Sequence, residues 1–216
     1  MQELKISLAP PTWDGDKCTK FRSETIEFGQ LEETLKSYNY SLINWKIDKS
    51  TGDKVYDRYR NKANFESASG LIVDIDAGLS IDDAEKRLQG LSINYFLITS
   101  KSHNKSKKND PTEDRFHILI PFNKPTSSIG KYKGAFAYFY VIFPEMDTAV
   151  MDLARQIYYS RDDALFHTFL DADFYNIDDV KAGFNLKEAC ESVHNIYWEF
   201  DLDQKVRLSD GRTVSV

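Results

Sequence analysis

The sequence predicts an α+β fold, a mixed or antiparallel sheet with helices on one face. Three observations predict it. The apolar run Gly70-Leu-Ile-Val-Asp-Ile-Asp-Ala77 reads as a buried strand ending in two acids. The segments that follow it run strand, helix, strand, long loop, strand, helix. The 216 residues are 41% hydrophobic, with 12 Tyr and 14 Phe, which is enough to bury a core and argues against disorder.

Each element has a local reason. Leu4–Leu8 alternates as an opening strand and leads into a Pro-rich turn. From Glu24 to Ser37 the spacing of Ile26, Leu31 and Leu35 suggests a helix, and Tyr40–Ile47 alternates as a strand. Ser50-Thr-Gly-Asp53 is a turn. Ser80 caps a helix with acids in its first turn, running to about Leu88. Ile93–Thr99 and Phe116–Pro121 are two further strands that pair, and Ser128–Phe143 is a helix packed on the sheet. Ala149–Tyr159 suits a strand or a short helix equally. Asn185–His194 is helical in pattern, and Val206–Val216 carries a hairpin signal at Asp210-Gly211.

Composition narrows the class of protein. No stretch approaches the roughly 20 apolar residues of a membrane span, and the N-terminus lacks a signal-peptide core. The two cysteines, Cys18 and Cys190, fit no metal-ligand spacing and suit a reducing, cytoplasmic compartment. A net charge of -6 counts against a generally basic nucleic-acid binder. The charge is polarised, however. Lys46 to Lys62 and Lys101 to Lys108 are rich in cations, while the acidic excess falls late in the chain.

The chemistry centres on Asp74 and Asp76. Residues i and i+2 of a strand project from one face, so the two carboxylates point the same way. Two acids at a solvated strand end are also common without any metal. Held close, like charges repel unless a cation lies between them, and hard oxygens suit Mg²⁺ or Mn²⁺. His103 and Arg115 fall at the facing ends of the next two strands, beside a Lys-rich loop. Such donors are what a metal-bound triphosphate requires. A third acid is expected for two cations. Asp147 is preferred, because it follows an apolar run, with Glu145 and Asp152 as competitors.

With these residues the chain resembles the archaeo-eukaryotic primase superfamily, in particular primase-polymerases of plasmids, phages and mobile elements. Three ordered motifs carry the resemblance: Leu71-Ile-Val-Asp74-Ile-Asp76; Thr99-Ser-Lys-Ser-His103 followed by Arg115–Pro121; and Asp147 through Asp152-Leu-Ala-Arg155-Gln-Ile-Tyr158. They cover roughly residues 70–160. The resemblance implies one catalytic domain over residues 1–216, with an N-terminal α/β lobe to about residue 65 and an RRM-like catalytic lobe beyond it. It implies that Asp74, Asp76 and Asp147 hold two divalent cations, Mg²⁺ or Mn²⁺. His103 and Arg115 would hold the triphosphate, assisted by Ser102 and Lys101, with Arg155 near the same pocket. The implied activity is nucleotidyl transfer directed by a single-stranded DNA template, adding dNTP or NTP to a primer or starting one. Arg58, Arg60 and Lys62 are candidates to track template phosphates, and Tyr56, Tyr59 and Phe65 to stack bases. The end of the chain, directly after a turn at Thr213–Val216, suits a domain of a longer protein, and a helicase domain or protein is the partner the resemblance admits.

Other functions use parts of the same pattern. A dehalogenase-type phosphatase begins with D-x-D, but Ala77-Gly78 follows the second acid here where that family has x-[TV]. A nucleotidyl cyclase would need a Gly-Gly-acid turn, which the chain lacks. A non-catalytic RRM-like module would not place two acids on its binding strand. A metal-dependent nuclease shares the acids and stands as the alternative, with a triphosphate-holding His103 and Arg115 favouring polymerisation.

Overall fold

The computed structural model describes residues 3–11, 19–51, 54–105, 114–180, 187–189, 191, 205–207 and 213–215. Its fold is α+β with antiparallel sheets, as the sequence predicts. The first strand, β1 (Glu3–Ala9), buries Leu4, Ile6 and Leu8 and pairs antiparallel with β2 (Lys20–Glu27). The sequence pattern suggested a helix from residue 24. Instead Ile26 lies opposite Leu4 in the ladder, and the α-helix α1 begins only at Leu31 and ends at Ser37. The reason is tertiary: pairing with β1 outweighs a weak local period. Leu31 and Leu35, one helical turn apart, are the residues α1 buries, contributing roughly 2 kcal/mol each.

The expected strand over residues 40–47 is two strands in two sheets. β3 (Asn39–Ser41) pairs with β1, while β4 (Ile43–Trp45) pairs with β6 (Phe65–Ile75). Leu42 makes the crossing between them. A two-residue strand, β5 (Arg58–Tyr59), pairs with β2 and completes a sheet ordered β3-β1-β2-β5. The chain therefore visits both sheets before residue 65.

The second sheet holds the acidic strand. β6 leads through α2 (Ile81–Leu91) to β7 (Tyr95–Thr99), and β8 (Phe116–Thr126) returns between them. This split β-α-β arrangement is the connectivity of RRM-like sheets. α3 (Ile129–Ile142) follows, and β9 (Phe166–Phe169) pairs on the far side of β7, giving the order β4-β6-β8-β7-β9. Ser80 caps α2 as the sequence predicts, accepting from Asp83 N (3.1 Å), and Ser128 caps α3 by accepting from Lys131 N (3.3 Å). Arg87 of α2 donates to Ile142 O (2.9 Å) and to both oxygens of Glu145 (2.8 and 2.9 Å), which ties α2 to the end of α3.

Among the described residues after α3 there is no long element. Met146 bridges Ile75, Thr148–Met151 is a single 3-10 turn, and Ile157 bridges Tyr40 of β3. The segment Asp152–Ile157 is pinned from three sides. Trp45 Nε1 donates to Leu153 O (2.9 Å), Arg60 donates to Ala154 O, and the backbones of Tyr40 and Ile157 exchange hydrogen bonds. Near the C-terminus, residues 187–189 and 191 are helical, and β10 (Lys205–Arg207) pairs with β11 (Thr213–Ser215). The predicted turn between them lies outside the described residues, as does the turn at residues 52–53. Among the described residues no helix is long and apolar enough to cross a membrane.

Gly70 is a point of close approach. A Cβ there would stand 2.5 Å from Ile120 O of β8 and 2.8 Å from a Leu42 methyl, beside a bulge at Ala68–Gly70. Gly78, in the turn after β6, has φ +83°. Gly70→Ala is expected to lower stability by about 1–3 kcal/mol through forced displacement of β8, and Gly78→Ala by roughly 1–2 kcal/mol through its left-handed backbone alone. Urea unfolding of both variants checks this. A Gly70→Ala protein as stable as wild type would show that the strands can separate freely there.

Candidate active site

A cleft of about 250 Å³ opens at the end of β6, and both predicted acids line it. Asp74 is 7% exposed, near the end of the strand, while Asp76 stands one residue beyond it and is exposed. Ser100, Lys101 and Ser102 line the cleft from the turn after β7, and Arg155 and Gln156 from the pinned segment. A larger cavity of about 990 Å³ lies elsewhere, among Tyr138, Phe174 and Tyr175. Among the described residues its lining carries Asp173 and Asp179 but no cation, whereas the smaller cleft combines acids with Lys101 and Arg155.

Asp74 is held by partners on two sides. Its ladder partner is His117 of β8, and residues directly opposite in an antiparallel pair share a face. His117 Nε2 lies 3.4 Å from Asp74 Oδ1, and Tyr40 OH lies 2.9 Å from His117 Nδ1. On the other side, Arg155 Nη2 lies 3.9 Å from Asp74 Oδ2 and 3.4 Å from Asp147 Oδ2. Asp147 reaches this point because its backbone N–H donates to Asp74 O (2.8 Å). Its side chain also caps the 3-10 turn by accepting from Ala149 N (2.9 Å).

The competing acids are engaged elsewhere. Glu145 takes both donors of Arg87, and Asp152 pairs with Lys62 at 3.1 Å while accepting from Ala154 N. Of those candidates, Asp147 joins Asp74 on Arg155, beside the cleft that Asp76 also lines. The three are not closed into one cage, however: among the described residues no group of three or more His, Cys, Asp or Glu side chains is assembled around a point. Asp74 and Asp147 nonetheless share one cationic group, and their carboxylates are the hard oxygen donors that divalent ions take.

Two residues expected to grip phosphate do not face the cleft. Arg115 is 0% exposed and donates through Nε to Asp76 O (2.8 Å) and through Nη1 to Ser102 O (3.0 Å) and Lys105 O (2.9 Å). It clamps the backbone after Asp76 to the serine-bearing turn. His103 accepts from Arg115 N at Nδ1 (3.2 Å) and contacts Asn104 at Nε2 (2.9 Å). Both stand behind the lining, as supports of the turn at residues 100–105. Lys101 and Ser102 do line the cleft, with Lys101 Nζ over the Tyr158 ring at 4.3 Å.

Two residues of the expected template track are bonded into the fold: Arg58 donates to Trp45 O and Glu66, and Arg60 to Ala154 O, while Lys62 makes an exposed pair with Asp152. Phe65 is core, at 8% exposed, and Tyr56 OH accepts from Arg22. His117 and Gln156 line the cleft without a role assigned from the sequence, and Tyr40 lies behind His117. His117 hides in an apolar run, and its only sequence signal is a lone polar residue two places after Arg115. Gln156 is 6% exposed, and neither amide atom has a partner among the described residues.

Burial pushes the His117 imidazole down to about 4, with Asp76 opposing that shift and Arg155 adding to it. The unfolded ring titrates near 6.5. The unfolded chain therefore binds the extra proton between those values, and stability is complete above pH 6.5 and lost as pH falls toward about 4. The loss amounts to about 3 kcal/mol. Urea unfolding in chelator, from pH 7.5 to 4, should show this steeper acid sensitivity in wild type than in His117→Gln. Equal slopes would assign the effect to carboxylates instead.

No protein-family model matches the chain, and none of the curated proteins does. Among solved structures it is similar to the AEP domain (PP-N190) of the cyanophage S-2L primase-polymerase, at 11% identity and a TM-score of 0.45. That likeness covers 83% of this chain and 86% of the phage domain.

Proposed function

We propose that the protein transfers nucleotides onto a primer or initiating nucleotide on a single-stranded DNA template, as a primase, a polymerase or both. The observation that carries this reading is the convergence of Asp74 and Asp147 on the Arg155 guanidinium, in a cleft that Asp76, Lys101 and Ser102 also line. Acids and cations interleaved in one small cleft suit a triphosphate together with its metal ions. In this reading residues 1–216 act as one catalytic unit, an N-terminal lobe to about residue 65 and a catalytic lobe beyond it.

Asp74, Asp76 and Asp147 would hold two divalent cations, Mg²⁺ or Mn²⁺. Such ions supply Lewis acidity, easing deprotonation of the attacking hydroxyl and neutralising phosphate charge. The rest falls to the chain. Lys101 offers a point charge to the phosphates and Ser102 a hydroxyl and a backbone amide. Arg155, which now satisfies two carboxylates, has phosphate oxygens as its alternative partners. Arg115 and His103 act by position, holding the Asp76 backbone against the turn that carries Ser102. Lys62, exposed at the surface, retains a template-phosphate role, and dNTP or NTP, primer and template are the expected partners.

Primer extension on a short DNA template with Mn²⁺ or Mg²⁺ tests the proposal. Wild type should incorporate nucleotide, and Asp74→Ala or Asp76→Ala should lose roughly 1000-fold, the few kcal/mol of charge stabilisation a metal supplies, with circular dichroism unchanged. Arg155→Ala should raise the KM for nucleotide more than it lowers kcat. Cleavage of single strands without incorporation would make the protein a nuclease and overturn the proposal.

A further inference from the structure

Tyr40 belongs to the first sheet, yet its hydroxyl ends at the acidic site of the second. The residue is 0% exposed, and its OH lies 2.9 Å from His117 Nδ1. On the ring's other side Nε2 lies 3.4 Å from Asp74 Oδ1. A neutral imidazole carries one N–H and one lone pair. A lone pair aimed at a carboxylate oxygen would be repelled, so the proton belongs on Nε2. Nδ1 is then an acceptor, and the buried phenol is the donor beside it. Burial holds that phenol's ionisation well above its ordinary range, which keeps the donor in place. The carboxylate is divided in consequence: Oδ1 faces His117, and Oδ2 faces Arg155 Nη2 at 3.9 Å.

We infer that Tyr40 is a positioning residue: its hydroxyl holds His117 in the Nε2–H tautomer, and that N–H turns the Asp74 carboxylate so that Oδ2 faces the place of the cation. The cation part of this inference rests on the nucleotidyl-transfer reading, whereas the tautomer part stands on the geometry alone. Residues that orient a metal's ligands act through hydrogen bonds of this kind.

Two measurements on the full chain test it. Nitrogen-15 NMR of the imidazoles, with His117 assigned among the 4 histidines by its absence in His117→Gln, reads the tautomer directly. Wild type should show a protonated Nε2 and a bare Nδ1, and Tyr40→Phe, which removes only the hydroxyl, should show a mixture of tautomers. Titration with Mn²⁺ alone should be about 10-fold weaker in Tyr40→Phe. In the His117→Gln background the amide keeps a donor toward Asp74 without help from Tyr40, so adding Tyr40→Phe should cause no further loss. A protonated Nδ1 in wild type, unchanged Mn²⁺ affinity in Tyr40→Phe, or an equal loss in both backgrounds overturns the inference. If wild type binds no Mn²⁺ while the tautomer is as stated, the nucleotidyl-transfer reading falls and the Tyr40–His117 lock stands.

Discussion

A carboxylate placed inside a β-sheet must find partners or give up its charge. Asp74 is that group here, 7% exposed and flanked by His117 on the neighbouring strand. Desolvating an ionised acid is costly, and the cost is met by charge and hydrogen bonds within a few ångströms. Arg155 supplies the charge and His117 the neighbouring ring nitrogen. The two sheets together bring those two groups to Asp74.

That requirement explains why two sheets are needed. β6 and β8 set Asp74 opposite His117, but neither strand can furnish Arg155 or Tyr40. Tyr40 arrives on β3, and the segment carrying Arg155 is held to β3 and β4 through Ile157 and Leu153. Arg60 secures the same segment at Ala154. The crossing at Leu42 thus links the site's two halves by a single short stretch of chain. Gly70 permits the close strand approach beside that crossing, since any side chain there would meet Ile120 O and Leu42.

Much of this was legible in the sequence where the rule is local. A period of two places Asp74 and Asp76 toward one cleft, and Ser80 announces the helix it caps. The strands β7 and β8 were evident from apolar runs. What stayed hidden depends on distant partners. β5 and β9 are short edge strands whose only reason to form is the neighbour they pair with. Ile26 looked helical because Leu4, its partner across the ladder, lies far away in sequence. The site shows the same division. Arg115 carries the residue type expected of a phosphate ligand, but no sequence pattern reveals that three carbonyls surround its guanidinium. His117 reads as core until the register of β6 and β8 sets it against Asp74.

The bridge from Arg155 to Asp74 and Asp147 has a consequence for how the protein matures. Many small metal-binding domains remain unfolded until their ion arrives, because their ligands repel one another without it. Here a side chain of the same polypeptide neutralises the acids, so the fold carries its own counterion. On the nucleotidyl-transfer proposal, folding and metal loading would then be separate events, and the chain would reach its native state in a metal-poor surrounding before taking up ions.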